Sequence, residues 1–340
     1  MDYIIVGSGP TGLSLGYILA KNNFKVSIIE KYDRLGGSWN SEWINGKYFT
    51  ENAPRVLGSK GTHMDFLYEL GMNDNDFKNI YGNKFKTNIK IFNFVKTYFH
   101  FFDYFLFIFE VFFYKSRDSK MTLQNWIDSS KLSESAKKSI RIISITICDT
   151  PENTNLHDFF GNFSRLSGTD LVQMKEPNQW VTILENYFNN LNNVTIYKNT
   201  TVVKIVSDEN KIDKIICNRN NILYEINTKN VVLCTQSDSI YPILKNSNED
   251  IQNNWNCLDW IKNWSQNTFY SGFGFQLHFK ETIKFPDQWC WSCRSEWNII
   301  ILPVSDWLLE PSKDPSINTV WSCCIVDMES ENANDHYMKK

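Results

Sequence analysis

The start of the chain constrains it most, because a β-branched run, three spaced glycines and an apolar helical stretch follow one another there without a gap. Tyr3-Ile4-Ile5-Val6 reads as a strand of a parallel sheet, buried on both faces. Gly7-Ser8-Gly9-Pro10-Thr11-Gly12 comes next and opens a helix from about Leu13 to Lys21. Each glycine of this G-x-G-x-x-G has its own steric reason: Gly7 permits a tight turn, Gly9 lets the backbone approach a pyrophosphate, and Gly12 lets the helix pack on the strand. The phosphates would rest on the helix N-terminus. Lys25 to Ile29 reads as a second strand and ends in Glu30, close to the spacing of roughly 20 residues expected of an acid that binds a ribose. An acid at that point favours a free 2′-hydroxyl over a 2′-phosphate. Ser8, Pro10 and Thr11 between the glycines, and Lys31 after the acid, complete the expected dinucleotide contacts.

A second glycine turn follows. Asp33-Arg34-Leu35-Gly36-Gly37-Ser38-Trp39 matches the pattern R-x-G-G-[RST] and resembles the double-glycine flavoproteins, the group of flavin amine oxidases, protoporphyrinogen oxidase and carotenoid desaturases. That resemblance implies FAD as the cofactor. It also has a physical reading: a Gly-Gly pair lets a second backbone segment run against a diphosphate without Cβ clashes, and Arg34 offers a fork of donors to phosphate or ribose. Gly36, Gly37 and Ser38 therefore join the expected FAD contacts. Glu51-Asn52-Ala53-Pro54-Arg55 is similar to a stretch that passes near the flavin in protoporphyrinogen oxidases, which implies a place for Arg55 beside the isoalloxazine or the substrate. Val202-x-x-Ile205 is similar to the V-x-x-I of the same group, where the valine backbone binds the adenine.

With 340 residues, 42% of them hydrophobic, the chain is long enough for two buried cores. A formal net charge of -3 shows no general bias toward nucleic acid, and none is expected as a partner. The expected partner is a small-molecule substrate; oligomeric state is left open. Met1-Asp2-Tyr3 already enters the first strand, which predicts a cytoplasmic protein without a signal peptide. Eight cysteines in a long chain are read as reduced thiols. Cys290-Trp291-Ser292-Cys293 lacks a second pair at metal-ligand spacing, so no metal site is expected.

Residues 91–114 are dominated by Phe, Tyr, Leu, Ile and Val. Lys96, His100, Asp103 and Glu110 recur within them at offsets of 4, 7 and 14 and share one stripe of a helix. So many charges argue against a membrane span. Two readings remain, a helix packed in a substrate domain and a helix lying at a membrane surface, which would make the protein membrane-associated. Further helices are expected over 122–130, 133–147 and 177–191. Short strands follow at 194–197 and 201–206, then an antiparallel ribbon over 211–217 and 223–227 and a buried strand at 231–235. The tryptophan-rich sequence beyond Asn254 reads as packed sheet.

The expected fold is α/β. A Rossmann-like FAD-binding domain, with a parallel sheet and a three-stranded antiparallel meander, would be built discontinuously from 1–60 and 168–240. An α+β substrate domain would use 61–167 and 241–340. The resemblance implies an FAD-dependent oxidoreductase of the amine oxidase and desaturase type, passing a hydride from a small or apolar substrate to flavin N5. It does not point to a catalytic acid, base or nucleophile. Two other functions share the scaffold: a non-catalytic binding protein like the Rab GDP-dissociation inhibitors, and a flavin-dependent mutase. Proteins of this group close with a Gly-Asp pair and a helix facing the flavin, which the polar 331–340 stretch does not carry. The expectation is a partial chain, a shortened homologue or a contribution from another polypeptide.

Overall fold

The computed structural model describes residues 1–51, 56–80, 99–147, 149–167, 170–209, 211–254, 259, 261–263, 273–284, 291–293 and 299–325. The chain divides into two compact units. The first comprises Met1–Glu42, Glu51–Ala53 and Pro177–Phe269, and the second Trp43–Thr50, Pro54–Glu176 and Tyr270–Lys340. These bounds shift the expected passages 1–60 and 168–240 for a physical reason. The strand Val56–Gly58 pairs antiparallel with Leu171–Met174 inside the second unit, while the helix Ser237–Asn246 and the one after it pack on the meander of the first.

The first unit is built on β1 (Tyr3–Val6), α1 (Pro10–Lys21), β2 (Val26–Ile29), α2 (Gln179–Asn189), β3 (Val194–Tyr197), β4 (Thr201–Asp208), β5 (Lys211–Arg219), β6 (Ile222–Asn227), β7 (Val231–Leu233) and α3 (Ser237–Asn246). β7, β1, β2 and β3 form a wholly parallel sheet in that order. Its central strands are apolar but for the buried Ser27, because both faces are covered: Ile4, Ile5, Val26, Ile28 and Ile29 are all buried. α1 packs on β2, where Gly16 leaves space for Ile28; a Cβ there would lie 2.9 Å from Ile28 Cδ1. β4, β5 and β6 form the antiparallel meander. Val202, Ile205, Ile215 and Cys217 from that meander share one core with Ile4, Val6 and Ile29. Parallel sheet and meander are thus one packed body, as the sequence predicts for a Rossmann-like domain.

The second unit contains an aromatic helical core and a four-stranded antiparallel sheet. The sheet runs Phe273–Phe279, Thr319–Ile325, Ile299–Leu302, Trp291–Cys293 in spatial order. The helical core gathers Phe107, Trp126, Ile140, Phe159, Phe160 and Phe163 from the helices Phe101–Phe113, Leu123–Ser129, Glu134–Ile147 and Leu156–Ser167. Ring pairs pack it, such as Phe107 edge-to-face with Phe163 at 5.1 Å between centroids.

The Phe101–Phe113 helix inverts the usual amphipathic order, in which charged residues face water. Asp103 and Glu110 do share a stripe, but both are buried, and six of the seven phenylalanines point outward. The inversion has an electrostatic cause. Asp103 accepts hydrogen bonds from the backbone N–H of Ser133 (2.7 Å), from Ser133 Oγ (2.6 Å) and from the N–H of His100 (2.9 Å). Glu110 takes a two-pronged contact from Arg117, with Nε and Nη2 each at 2.9 Å. Donors in that number replace the hydrogen bonds that water would give each carboxylate and so offset the cost of burying it. Burial alone pushes the Asp103 carboxyl up, but the Ser133 and His100 donors outweigh it, and the group titrates below the ordinary aspartate range. Residues 91–98 of the stripe, Lys96 included, lie outside the described residues.

Two outcomes follow for stability. Phe160→Ala should cost about 3–5 kcal/mol in chemical denaturation, since Phe160 is fully buried among four rings. Asp103→Ala should cost about 1–3 kcal/mol near neutrality. Because the folded pKa of Asp103 is depressed, its contribution is complete above the unfolded value of about 3.9 and fades as pH falls through the folded value. The gap between wild type and variant in melting experiments should therefore narrow as pH falls below the unfolded value, and a gap that widens in acid would refute the assignment.

Candidate functional site

The site grows out of the loop between β1 and α1. Gly7 has φ +102°, and a Cβ on it would stand 2.7 Å from the carbonyl oxygen of Cys234. Only glycine fits a left-handed residue that close to a neighbouring backbone. Gly12 is tighter still, with the Gly7 carbonyl oxygen 2.0 Å from where its Cβ would be. Gly9 is the opposite case. Its backbone is extended at φ -69° and caps α1, and nothing lies within 4 Å of an added Cβ. Two glycines are required by packing against protein, and the third faces open space in a cavity.

The second glycine turn docks on the first. The Gly36 N–H donates to the Ser8 carbonyl at 2.8 Å. Gly36 (φ +103°) and Gly37 (φ +57°) are both left-handed, and a Cβ on Gly37 would sit 3.0 Å from Gly9 Cα. The two turns are therefore in direct backbone contact, which is what the Gly-Gly pair achieves.

Glu30 joins the same loop from the end of β2. It is 6% exposed. Its Oε2 accepts from the Ser8 N–H (3.0 Å) and from Ser8 Oγ, and its Oε1 accepts from the Tyr32 N–H at 2.9 Å. The carboxylate thus clamps the first turn to the second strand, and it also lines the cavity.

That cavity measures about 1160 Å³, slightly more than the roughly 300–1,000 Å³ usual for small-molecule sites. Of the expected contacts, Gly7, Ser8, Gly9, Pro10, Thr11, Glu30, Lys31, Arg34, Gly37, Ser38 and Val202 line it. Gly12 and Gly36 stand behind the lining, holding the helix and the second turn in place. Val202 turns its side chain into the core, 5% exposed, so the strand's backbone is what the cavity meets. Arg34 forms an ion pair with Glu42, which orients its guanidinium without using all five of its donors. Arg55 lies outside the described residues.

A further wall was not expected from the sequence: Cys234, Thr235, Gln236, Asp238, Ser239, Pro242, Ile243 and Asn246 also line the cavity. They belong to the end of β7 and to α3, whose N-cap is Gln236. The signal that could have found them is the Gln236-Ser237-Asp238 start; Pro242 inside the helix hid it, because proline removes a helical N–H.

The chemistry of the lining is that of a binding site. The Cys234 thiol is pushed up by burial, and the more deeply buried Cys217 and Cys323 thiols are pushed up to about 12, so none is a ready nucleophile. No group of three or more His, Cys, Asp or Glu side chains placed to hold a metal occurs among the described residues. Of the expected Cys290–Cys293 pair, Cys290 lies outside the described residues and Cys293 is placed on a strand.

Comparison with known proteins agrees with this geometry. A family model described as NAD(P)-binding Rossmann-like domain matches residues 5–70. Over 67 residues the chain is 42% identical to a 4,4′-diapophytoene desaturase (4,4′-diapolycopene-forming) of a Methylomonas species, covering 20% of this chain and 13% of that protein. Over 51 residues it is 43% identical to thiamine thiazole synthase of Thermotoga maritima, covering 15% of this chain and 19% of that protein. These matches span less than a fifth of either relative. Among solved structures, an oxidoreductase from Methanosarcina mazei superposes with TM-score 0.62 at 16% identity, covering 95% of this chain and 78% of that one. Cyclohexylamine oxidase from Brevibacterium oxydans IH-35A gives TM-score 0.62 at 12% identity, covering 99% and 79%. At such identities the likeness is one of fold: a mixed α/β architecture that includes a Rossmann-like domain, shared over nearly the whole chain.

Proposed function

We propose that this chain binds FAD in the cavity between its two glycine turns and acts as an oxidoreductase of the amine oxidase and desaturase type. The observation that carries the reading is the contact of Gly37 with Gly9 beside a buried Glu30, since a single dinucleotide turn has no need of a second one pressed against it. The residues present fit the cofactor. Gly9 leaves the space a pyrophosphate needs, and the N-terminal end of α1 carries the partial positive charge that suits phosphate. Glu30 presents an acceptor where a ribose with free hydroxyls would lie and repels a 2′-phosphate. Arg34, Lys31 and Ser38 supply donors, and the backbone of β4 around Val202 supplies an edge for adenine.

When bound, FAD would supply a two-electron acceptor for oxidising a C–H or C–N bond. The chain's own contribution is positional: it fixes the dinucleotide through glycines that tolerate no side chain and excludes competing ligands by charge. The likeness to a cyclohexylamine oxidase and to a 4,4′-diapophytoene desaturase supports an amine or an apolar hydrocarbon as substrate class. The short likeness to thiamine thiazole synthase supports neither substrate class. That keeps a binding role on the same scaffold as the competing reading.

Two measurements test this. The purified protein, or the protein reconstituted with FAD, should show the paired flavin absorption bands and release FAD on denaturation; failure to take up FAD at all would end the reading. A flavin that is bound but bleached by neither amines nor polyenes would favour the non-catalytic role. Gly9→Ala should leave the melting temperature of the cofactor-free protein unchanged, because the new methyl meets open space, yet weaken FAD at least about tenfold. Gly12→Ala should instead unfold or strongly destabilise the protein, because its methyl overlaps the Gly7 carbonyl. Equal effects of the two substitutions on folding would contradict the assigned roles.

A further inference from the structure

The outward face of the Phe101–Phe113 helix is the largest feature of the described residues that dinucleotide binding does not use. Every phenylalanine of the helix except Phe107 is exposed, together with Leu106, at 40% to 77% of the full side-chain area. At 100° per residue these seven positions occupy an arc of about 140°. Taking about 200 Å² for a fully exposed phenylalanine, the patch is on the order of 800 Å². Soluble monomers seldom expose an apolar patch beyond roughly 300–600 Å².

Three observations decide what such a face fits. The helix has 13 residues, so at 1.5 Å per residue it is about 20 Å long and falls short of a bilayer's hydrocarbon core of roughly 30 Å. No helix among the described residues is long and apolar enough to cross a membrane. The arc also holds no hydroxyl, amide or charged side chain, whereas a protein interface of this size carries about one hydrogen bond per 100–200 Å². Finally, the helix's two acids are turned inward and paired, while the segment leaving it exposes Lys115 and Lys120 with only Asp118 against them. An apolar arc with two exposed lysines within seven residues of the helix's C-terminal end complements an anionic lipid surface.

We propose that the Phe101–Phe113 helix lies in the plane of an anionic membrane, its phenylalanines among the acyl chains and Lys115 and Lys120 at the headgroups. This holds whether or not the chain binds a flavin, and its test reads no activity. The whole chain would be sedimented with vesicles of phosphatidylcholine alone and of phosphatidylcholine mixed with phosphatidylglycerol. Binding to the anionic vesicles should exceed that to the neutral ones by about tenfold or more. It should be abolished in a Phe105→Ser, Phe109→Ser, Phe112→Ser variant and reduced in Lys115→Glu, Lys120→Glu. Since all five side chains are exposed, circular dichroism and melting should match wild type and show that the loss is not unfolding. Absence of binding, equal binding to both vesicle types, or binding unchanged in the serine variant would each overturn the proposal. So would a wild-type dimer that ignores vesicles and that the serine variant dissociates, because the face would then belong to a second copy.

Discussion

The contact on which the first unit depends is backbone against backbone, where the turn at Gly36–Gly37 rests on the turn at Gly7–Gly9. Side chains cannot make this contact; they can only be absent from it. The 2.8 Å bond from the Gly36 N–H to the Ser8 carbonyl fixes the register of the two turns, and Glu30 secures it from behind by taking both donors of Ser8. Everything that lines the cavity is positioned relative to that joint. Because a hydrogen bond to a charged acceptor is stronger than one to a neutral acceptor, the carboxylate gives the loop a rigidity that glycines alone would deny it.

Steric prohibition leaves marks in a sequence, and this is why the cradle was legible from residues alone. Gly7, Gly12, Gly36 and Gly37 stand where a methyl group would strike backbone or a packed side chain, so the chain has to spell them out. Glu30 was legible because a strand's end fixes both its distance from the first turn and its direction. The parallel strands and the meander were legible because β-branched runs have few other uses.

What was hidden had been hidden by contacts between distant segments. Arg34 reads as a free cation until Glu42 is placed beside it. The Gln236–Asn246 wall is masked by a proline within a helix. The aromatic helix shows its stripe of acids in the sequence, but which side of the stripe faces inward depends on Ser133 and Arg117, 30 and 7 residues from their partners. Periodicity gives the spacing of faces and says nothing of their direction when both are apolar and the donors lie elsewhere.

The cavity's walls come from positions near 7, 37, 202 and 236, and Gly7 is pressed against the carbonyl of Cys234, more than two hundred residues away. The recognisable motif and the competent site are therefore different objects. A fragment holding the first seventy residues would carry nearly every letter by which such proteins are recognised, yet lack the adenine edge and the α3 wall. A dinucleotide held in this cavity would act as a staple across those distant segments, stabilising by mass action the one state in which they have met.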